Sequence, residues 1–434
     1  MSRLRGRLLR VLPRGRFARS VAVVTTGTAL GQGLVVASAP LLTRLYTPVD
    51  FGVLAVYGSI VSLVAVAASL RYELAIALPE DDESAANLLL LSLGIVLIVS
   101  LLAGLGVWLL ADQLVRSVNT PSLKPYLWLV PLGVLGAGIY SALTLWPVRK
   151  KAFTILARTR FTQSLGQVLT QVILGLLQLG PVGLLVGQIV GKTGGSGGMA
   201  AQIWKHDKEA IKRISASGVR RVALRYRRFP MFSSGTALLN RAGVYLPPIL
   251  LAAFYGPQVA GWFALGQRVI GLPAMVISIS VADVYMGEAA QLVRTDPYAL
   301  ERLFVKTAKH LTLIGAPPLA VLGLSSPWVF ALVFGEGWRE AGVYVQLMAV
   351  AFLGQFVTTP LEATFAVTER QDLGLARHTI RLVLVVGSLS LAHLARWGPV
   401  VAIGLYSVSM FVAYMNILVL GKHALRVKQR ERSA

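Results

Sequence analysis

The chain has 434 residues, of which 55% are hydrophobic and only 14% are charged, and its formal net charge is +23. Soluble domains are about 25% charged, so the long apolar runs between residues 21 and 421 indicate a polytopic α-helical membrane protein. The basic residues lie in the breaks between these runs, which favours anionic membrane lipids over nucleic acid as the partner. The chain has no cysteine, which excludes disulfides, iron–sulfur clusters and thiolate chemistry.

The N-terminus resembles a secretory signal peptide, because seven arginines precede an apolar run that contains Ala37-Ser38-Ala39. That run is longer than a signal-peptide core, however, and Pro40 follows the possible cleavage site. The sequence therefore predicts a basic segment, 1–20, and an uncleaved first membrane span.

Since a helix needs about 20 apolar residues to cross the hydrocarbon, the chain is predicted to be an all-α membrane protein with twelve transmembrane helices. Polar residues intrude into the fifth span at Gln163, Gln167 and Gln171, and into the ninth at Lys306 and Lys309. The predicted spans are 21–43, 52–78, 86–111, 125–148, 156–179, 181–203, 229–253, 259–285, 304–324, 340–366, 373–395 and 399–421.

The Lys and Arg residues of the breaks are distributed unequally between the two sides of the membrane. Basic residues in the first part of a span, including Arg377 and Arg381, are counted with the break before it. On this count, 33 of the 42 fall on the side of the N-terminus and five on the other side. The positive-inside rule then places both termini in the cytoplasm. The acidic break at 80–83 also falls on the cytoplasmic side, which the rule tolerates because acids contribute little to orientation.

The first hairpin recurs in the second half of the chain at a constant offset of 209 residues: Pro48, Gly52 and Ala55 return as Pro257, Gly261 and Ala264. A short turn of this kind also occurs between unrelated helices. Read as a repeat, the offset predicts two six-helix bundles, 21–203 and 229–421, joined by a basic linker, 204–228, and followed by a basic tail, 422–434. An even number of spans per half predicts a pseudo-twofold axis along the membrane normal and a cavity between the bundles.

Three arginines inside predicted spans, Arg71, Arg241 and Arg268, are not counted with any break. A charge at the centre of the bilayer costs about 2.5 kcal/mol or more, so such residues face a wet cavity, pair with another group, or act on a ligand. Arg71 could also extend its side chain to the nearby cytoplasmic interface. All three are candidate substrate-binding cations.

Three acids, Glu73, Asp283 and Glu362, lie within or near spans and are candidates for coupling to a proton or sodium ion. Asp283 and Glu362 could equally be helix-end residues in water. Glu73 is two residues from Arg71, and on an α-helix the two side chains would point to different sides, so no ion pair between them is expected.

Other motifs are weak. Gly191-Lys192-Thr193 lacks the earlier glycine and the preceding strand of a phosphate-binding loop, and Gly187, Gly191 and Gly195 instead predict a close helix–helix contact. The five histidines share no ligand spacing, so no metal site and no cofactor are expected.

The sequence resembles the polysaccharide transporter family, the Wzx-type O-antigen flippases of the MOP superfamily. Four stretches carry the resemblance in the same order, and with the twelve-span layout they cover nearly the whole chain. They are LLTRLYTPVDFGVLAVYGSIVSL, LRYELAIALPEDDESAANLLLLSL, ALGQRVIGLPAMVISISVADVYMGEAAQL and FGEGWREAGVYVQLMAV.

The resemblance implies a V-shaped pair of bundles in the bacterial inner membrane. It also implies a cargo of oligosaccharide linked to undecaprenyl pyrophosphate, which alternating access and an ion gradient move to the outer leaflet. By position, Arg71 and Arg268 would bind the pyrophosphate, and Arg241 fits this role less well. The glycan polymerase and glycosyltransferases of the same pathway would be partners.

Two other functions stay open: a multidrug or cation antiporter of the same superfamily, which would centre on a carboxylate, and a membrane-embedded glycan polymerase or ligase.

Overall fold

A computed structural model describes residues 16–433, which form helices and no strand. The part of the predicted basic segment before Arg16 lies outside the described residues. The first half contains α1 (Arg16–Ala37), α2 (Ala39–Leu45), α3 (Pro48–Ala67), α4 (Asp82–Ser117), α5 (Leu129–Arg149), α6 (Phe153–Leu176), α7 (Pro181–Thr193) and α8 (Ser196–His206). Two short helices connect the halves, α9 (Lys208–Lys212) and α10 (Ala216–Arg225). The second half contains α11 (Ser234–Tyr255), α12 (Pro257–Gly266), α13 (Leu272–Thr295), α14 (Pro297–Phe334), α15 (Arg339–Thr358), α16 (Ala363–Val367), α17 (Gln371–Leu394) and α18 (Pro399–Ser433).

Each predicted span coincides with one or two of these helices. Among the described residues, eight helices are long and apolar enough to cross a membrane: α3, α4, α5, α11, α14, α15, α17 and α18. The first, sixth and eighth predicted spans are interrupted helices, and the fifth, α6, carries polar residues. The helical membrane architecture is confirmed, and the count of twelve crossings stays a prediction.

Two interrupted spans, the second and the eighth, contain a candidate arginine at the break. Helix α3 ends at Ala67, and Leu70 and Arg71 follow with φ angles of 48° and 65° before a short 3₁₀ segment, Tyr72–Ala77. The eighth span changes at Gln267–Gly271 into a single π-helical turn between α12 and α13. Local breaks of this kind are frequent at functional sites in membrane helices.

The glycines of α7 form the close helix contact that their spacing predicts. A Cβ at Gly187 would lie 2.3 Å from the side chain of Gln171, and one at Gly191 would lie 2.4 Å from Gln167. Both glutamines belong to α6, so only a residue without a side chain allows the two helices to approach this closely.

The two halves meet through α3 and α12, which are equivalent in the repeat. A Cβ at Gly52 would lie 1.8 Å from the carbonyl oxygen of Pro257, and a Cβ at Gly261 would lie 1.9 Å from the carbonyl oxygen of Pro48. Each glycine therefore packs on the proline that opens the helix of the other half. Such a reciprocal contact is what a twofold axis between two copies of the same hairpin requires, and it supports the repeat.

A tryptophan reinforces the same end of the interface. Trp338 precedes α15, is 3% exposed, and donates from Nε1 to the carbonyl oxygen of Thr43 at 3.2 Å. Its ring meets the ring of Phe51 edge-on, with 4.9 Å between centroids. The halves are thus tightly closed where α3 and α12 begin.

The acidic break at 80–83 belongs to a small ionic network at the start of α4. The carboxylate of Asp82 accepts from Nη2 of Arg149 at 3.0 Å and from Nζ of Lys150 at 2.7 Å. Lys150 also pairs with Asp207 at 2.9 Å, and Asp207 accepts from the indole of Trp146. Asp82 therefore fixes the start of α4 to the end of α5, and Lys150 extends the network to Asp207 in the linker.

Candidate functional site

A cavity of about 560 Å³ lies between the two halves, beyond the closed contact of α3 and α12. Five positions of the first half line it together with the residues 209 positions later in the second half. These pairs are Val35 and Val244, Ala55 and Ala264, Gly58 and Gln267, Ser59 and Arg268, and Ser62 and Gly271. The cavity therefore lies on the repeat axis, as the sequence predicts.

Arg268 enters the cavity from the π-helical turn that follows α12. Its atom Nη2 is buried and makes no hydrogen bond within the described part of the chain. Buried donors are nearly always paired, and a guanidinium without a partner is costly in an apolar layer. Its two parallel donors suit a phosphate or carboxylate oxygen pair.

Lys192 provides a second cation from the end of α7. Its ammonium donates to the hydroxyl of Ser62 at 3.0 Å, and this neutral group leaves the charge uncompensated. The neighbouring Gln188 fills space that Gly58 leaves open, since a Cβ there would lie 2.6 Å from the Gln188 amide nitrogen.

Arg381 provides the third cation, from the middle of α17. Its Nη2 donates to the backbone carbonyl and to Oδ1 of Asn240, at 2.5 and 2.7 Å. Gly243 makes room for it, because a Cβ at that position would lie 2.7 Å from Nε. Asn240 therefore holds the guanidinium in place. The Nε atom of Arg381 is buried without a hydrogen bond among the described residues.

The other polar groups of the cavity are neutral, and none of its lining residues in the described chain is an acid. The site thus combines three positive charges with amides and phenols that can donate and accept hydrogen bonds. Chemically, it suits an anion that carries hydroxyl groups. These neutral residues are Gln32, Gln167, Gln188, Gln267, Gln355, Tyr245, Tyr406 and Tyr414.

Of the three predicted cations, the structure places Arg268 in the cavity and the other two outside its lining. Arg241 is exposed on α11, and its guanidinium lies 3.4 Å from the hydroxyl and 5.9 Å from the ring centroid of Tyr245. Tyr245 itself lines the cavity. Arg241 therefore lies at the border of the site.

Arg71 and Glu73 form the ion pair that the sequence argument rejected. Arg71 Nη1 lies 3.4 Å from Oε1 of Glu73, whose side chain is 3% exposed and also accepts from the hydroxyl of Ser69. The helical reasoning was wrong here because α3 ends at Ala67, and left-handed backbone at Arg71 turns both side chains to one side. This pair lies outside the residues that line the cavity.

The remaining acids occupy different surroundings. Asp283 is exposed on α13. Glu362 lies in the break between α15 and α16 and pairs with Arg377, whose side chain is 12% exposed. Arg377 is one helical turn before Arg381, so this carboxylate reaches the neighbourhood of the cavity through α17.

Sequence reasoning missed Lys192 and Arg381. Lys192 lay inside the glycine-rich stretch that was interpreted only as a helix contact, and Arg381 was counted with the cytoplasmic break before the eleventh span. A charge eight residues into a predicted span is the signal that could have identified Arg381.

A match to a family model identifies the family of the chain. A family model described as polysaccharide biosynthesis protein matches residues 41–343, which include α3, the π-helical turn and Arg268. The chain belongs to this polysaccharide biosynthesis family. The resemblance seen in the sequence is thereby confirmed.

Three relatives within polysaccharide biosynthesis illustrate the family. The chain is 26% identical over 326 residues to the succinoglycan biosynthesis transport protein ExoT of Rhizobium meliloti (strain 1021), 74% of this chain and 63% of that protein. It is 23% identical to the lipopolysaccharide biosynthesis protein WzxC of Escherichia coli (strain K12), over 47% of this chain and 41% of that protein. It is 24% identical to the teichuronic acid biosynthesis protein TuaB of Bacillus subtilis (strain 168), over 43% and 38%. The chain thus matches less than two thirds of the length of each relative.

Solved structures of MOP-superfamily transporters share the fold. An inward-facing multidrug resistance MATE family transporter superposes with a TM-score of 0.63 at 17% identity, covering 94% of this chain and 96% of that one. An outward-facing structure gives 0.54 at 16% identity, covering 96% and 98%. A MOP-superfamily transporter from Pyrococcus furiosus, whose binding pocket is described as having reverse polarity, gives 0.57 at 16% identity, covering 94% and 96%.

Proposed function

We propose that the protein is a flippase that moves an oligosaccharide linked to a lipid pyrophosphate from the inner to the outer leaflet of the bacterial cytoplasmic membrane. The observation that carries the proposal is the lining of the central cavity, which has three cations and no acid. Membership in the polysaccharide biosynthesis family supports a cargo of this class.

The chemistry of the cavity matches the two parts of such a headgroup. Arg268, Lys192 and Arg381 compensate the charge of the pyrophosphate, which could not otherwise leave water. The glutamines and tyrosines hydrogen-bond to sugar hydroxyls. A volume of about 560 Å³ is typical of small-molecule sites, so the cavity holds the pyrophosphate and the first sugars while the rest of the glycan extends beyond it. The prenyl tail stays in the lipid and needs no site of its own.

The structure corresponds to an inward-facing state in this proposal. The halves are closed where α3 and α12 begin, and the distribution of Lys and Arg assigns that end to the outer face of the membrane. Cargo then enters from the cytoplasmic side and leaves after the α3–α12 contact opens.

We further propose that Glu362 couples transport to a proton gradient. Its pairing with Arg377 connects a carboxylate to the helix that carries Arg381. Protonation neutralises Glu362 and releases Arg377, which changes the positive charge near the cavity. Glu73 is enclosed by Arg71 and Ser69 and is not among the residues that line the cavity, and Asp283 is exposed, so Glu362 is the stronger candidate.

The coupling proposal is tested with Glu362→Gln. In proteoliposomes, the parent protein is expected to flip cargo several-fold faster when an inwardly directed proton gradient is imposed, and the variant is expected to lose this acceleration. Glu73→Gln is the comparison, because it removes a carboxylate of the other half. If Glu362→Gln responds to the gradient as the parent does, the coupling carboxylate lies elsewhere.

The function itself is tested by reconstitution with two lipid-linked glycans that differ only in the linkage. One carries a pyrophosphate, and the other carries a neutral linker of similar length. The expected result is transfer of the pyrophosphate lipid only. Transfer is measured as the loss of fluorescence when a membrane-impermeant quencher reaches the labelled lipid.

Three outcomes contradict the proposal. Equal transfer of both lipids would remove the role of the cations. Transfer of organic cations without transfer of either lipid would favour the multidrug antiporter function that the sequence left open, and lengthening of the glycan would favour a polymerase or ligase.

A further inference from the structure

A second elongated cavity, of about 570 Å³, lies on the outer surface of the second half, between α14 and α18. None of its lining residues lines the central cavity. Its walls are mostly apolar and include Leu313, Pro317 and Leu418. Two cations also line it, Lys309 from α14 and Lys422 from α18. We call this cavity the α14–α18 groove.

The exposed apolar residues of the two helices show where the groove lies relative to a membrane. On α14 they run from Leu313 to Leu332, and on α18 from Val400 to Val419. Each run covers 20 residues, or roughly 30 Å of helix, which equals the thickness of the hydrocarbon layer. Lys309 is four residues before the first run, and Lys422 is three residues after the second. Both ammonium groups therefore lie at headgroup level, on the same side.

The groove also has the polarity of a lipid. From Lys309, the lining of α14 continues into the apolar band through Leu313 and Pro317. Helix α18 runs the other way, with Leu418 one turn from Lys422 toward the same band. The cations are thus at one end and the apolar walls extend from them into the hydrocarbon, as a phosphate headgroup and an acyl chain require.

The surface of α14 on the other side of Lys309 is basic as well. Arg302, Lys306 and His310 line a neighbouring cavity of about 510 Å³ that shares Lys309 with the groove. The one acid in that lining, Glu301, accepts from Nε2 of Gln429 at 2.9 Å. Arg302 pairs with Asp296 at 3.3 Å, so the positive charge at this entrance of the groove comes from Lys306 and Lys309.

We propose that the α14–α18 groove binds an anionic phospholipid, with its phosphate between Lys309 and Lys422 and one acyl chain along Leu313, Pro317 and Leu418. The predicted orientation identifies the leaflet as the cytoplasmic one. The site is separate from the central cavity, and its occupancy does not depend on whether the protein is a flippase.

The test counts lipids on the purified full-length protein by native mass spectrometry, with phosphatidylglycerol and phosphatidylcholine titrated separately. The parent protein is expected to retain phosphatidylglycerol preferentially. Lys309→Gln combined with Lys422→Gln is expected to weaken this retention roughly 30-fold, because each cation near an anionic headgroup contributes about fivefold. Arg220→Gln combined with Arg221→Gln is the matched control, since it removes two exposed cations from α10 and should change retention little.

A second variant examines the apolar part without changing charge. Leu418→Trp narrows the groove and is expected to weaken phosphatidylglycerol retention while the lysines remain.

The proposal is overturned if the lysine pair and the α10 pair lower retention equally, since binding would then follow total charge. It is also overturned if phosphatidylcholine is retained as well as phosphatidylglycerol, or if a polyprenyl phosphate displaces phosphatidylglycerol at equal concentration, which would assign the groove to the carrier lipid.

Discussion

Arg268→Ala is expected to reduce flipping of a pyrophosphate-linked glycan roughly ten- to hundredfold, because a hydrogen bond to a charged group contributes about 1.5–3 kcal/mol. The guanidinium enters the cavity from the π-helical turn and has a buried donor without a partner among the described residues. Lys192→Gln should lower the same rate, and the double variant should lose less than the product of the two effects because both cations act on one anion. The measurement is the initial rate of cargo transfer in proteoliposomes.

Matched substitutions separate a site effect from a general loss of charge. Arg116→Ala removes an exposed arginine at the far end of α4 and should leave the rate within about twofold. Arg71→Ala should cost less than Arg268→Ala, because Arg71 pairs with Glu73 outside the cavity lining. Native transfer rates for Arg268→Ala, in a protein that is folded by its melting temperature, would show that the assigned phosphate role is wrong.

Gly52→Leu is expected to lower the transport rate at least tenfold while leaving cargo binding intact. A Cβ at this position would lie 1.8 Å from the carbonyl oxygen of Pro257, so the contact between α3 and α12 cannot close. Gly261→Leu should have the same effect from the other half, because its Cβ would meet the carbonyl oxygen of Pro48 at 1.9 Å. Alternating access requires both an inward-facing and an outward-facing state. Each variant removes the inward-facing state, in which the α3–α12 contact is closed.

The opening is measurable directly because the chain has no cysteine. Spin labels at Val49→Cys and Gln258→Cys, which are equivalent in the repeat, report the distance across the contact. We expect a short distance in the parent background and a longer one with Gly52→Leu. Gly94→Leu is the control, since a Cβ at Gly94 meets nothing within 4 Å. A short distance and a parent transport rate in Gly52→Leu would contradict the gating role of this contact.

Much of the architecture was predictable from the sequence. Apolar length and spacing gave helices at each predicted span, and the offset of 209 residues gave the reciprocal packing of Gly52 and Gly261. The errors lie where a helix ends early or changes its winding. Hydropathy averages over about 20 residues, so it cannot detect that α3 ends at Ala67 when apolar residues continue beyond it.

The site was predictable only in part, for a related reason. The sequence gives the depth of a charge in a span but not the side of the helix from which it projects. Arg268 and Arg241 lie in comparable spans, yet only Arg268 lines the cavity, because the π-helical turn sets its direction. Arg381 was assigned to a break because a Lys/Arg count does not distinguish a helix end from a position about two turns further in.

Ser59 and Arg268 are equivalent positions of the two repeats, and both line the cavity. This difference between equivalent positions has an evolutionary consequence. Half-length ancestors that assembled as parallel homodimers would share one sequence, so an arginine gained at this position would face its own copy, and the two like charges would repel at close range. After gene duplication and fusion, one copy can keep a small hydroxyl while the other acquires the guanidinium. Joining the halves in a single chain thus allows an asymmetric recognition site inside a symmetric framework.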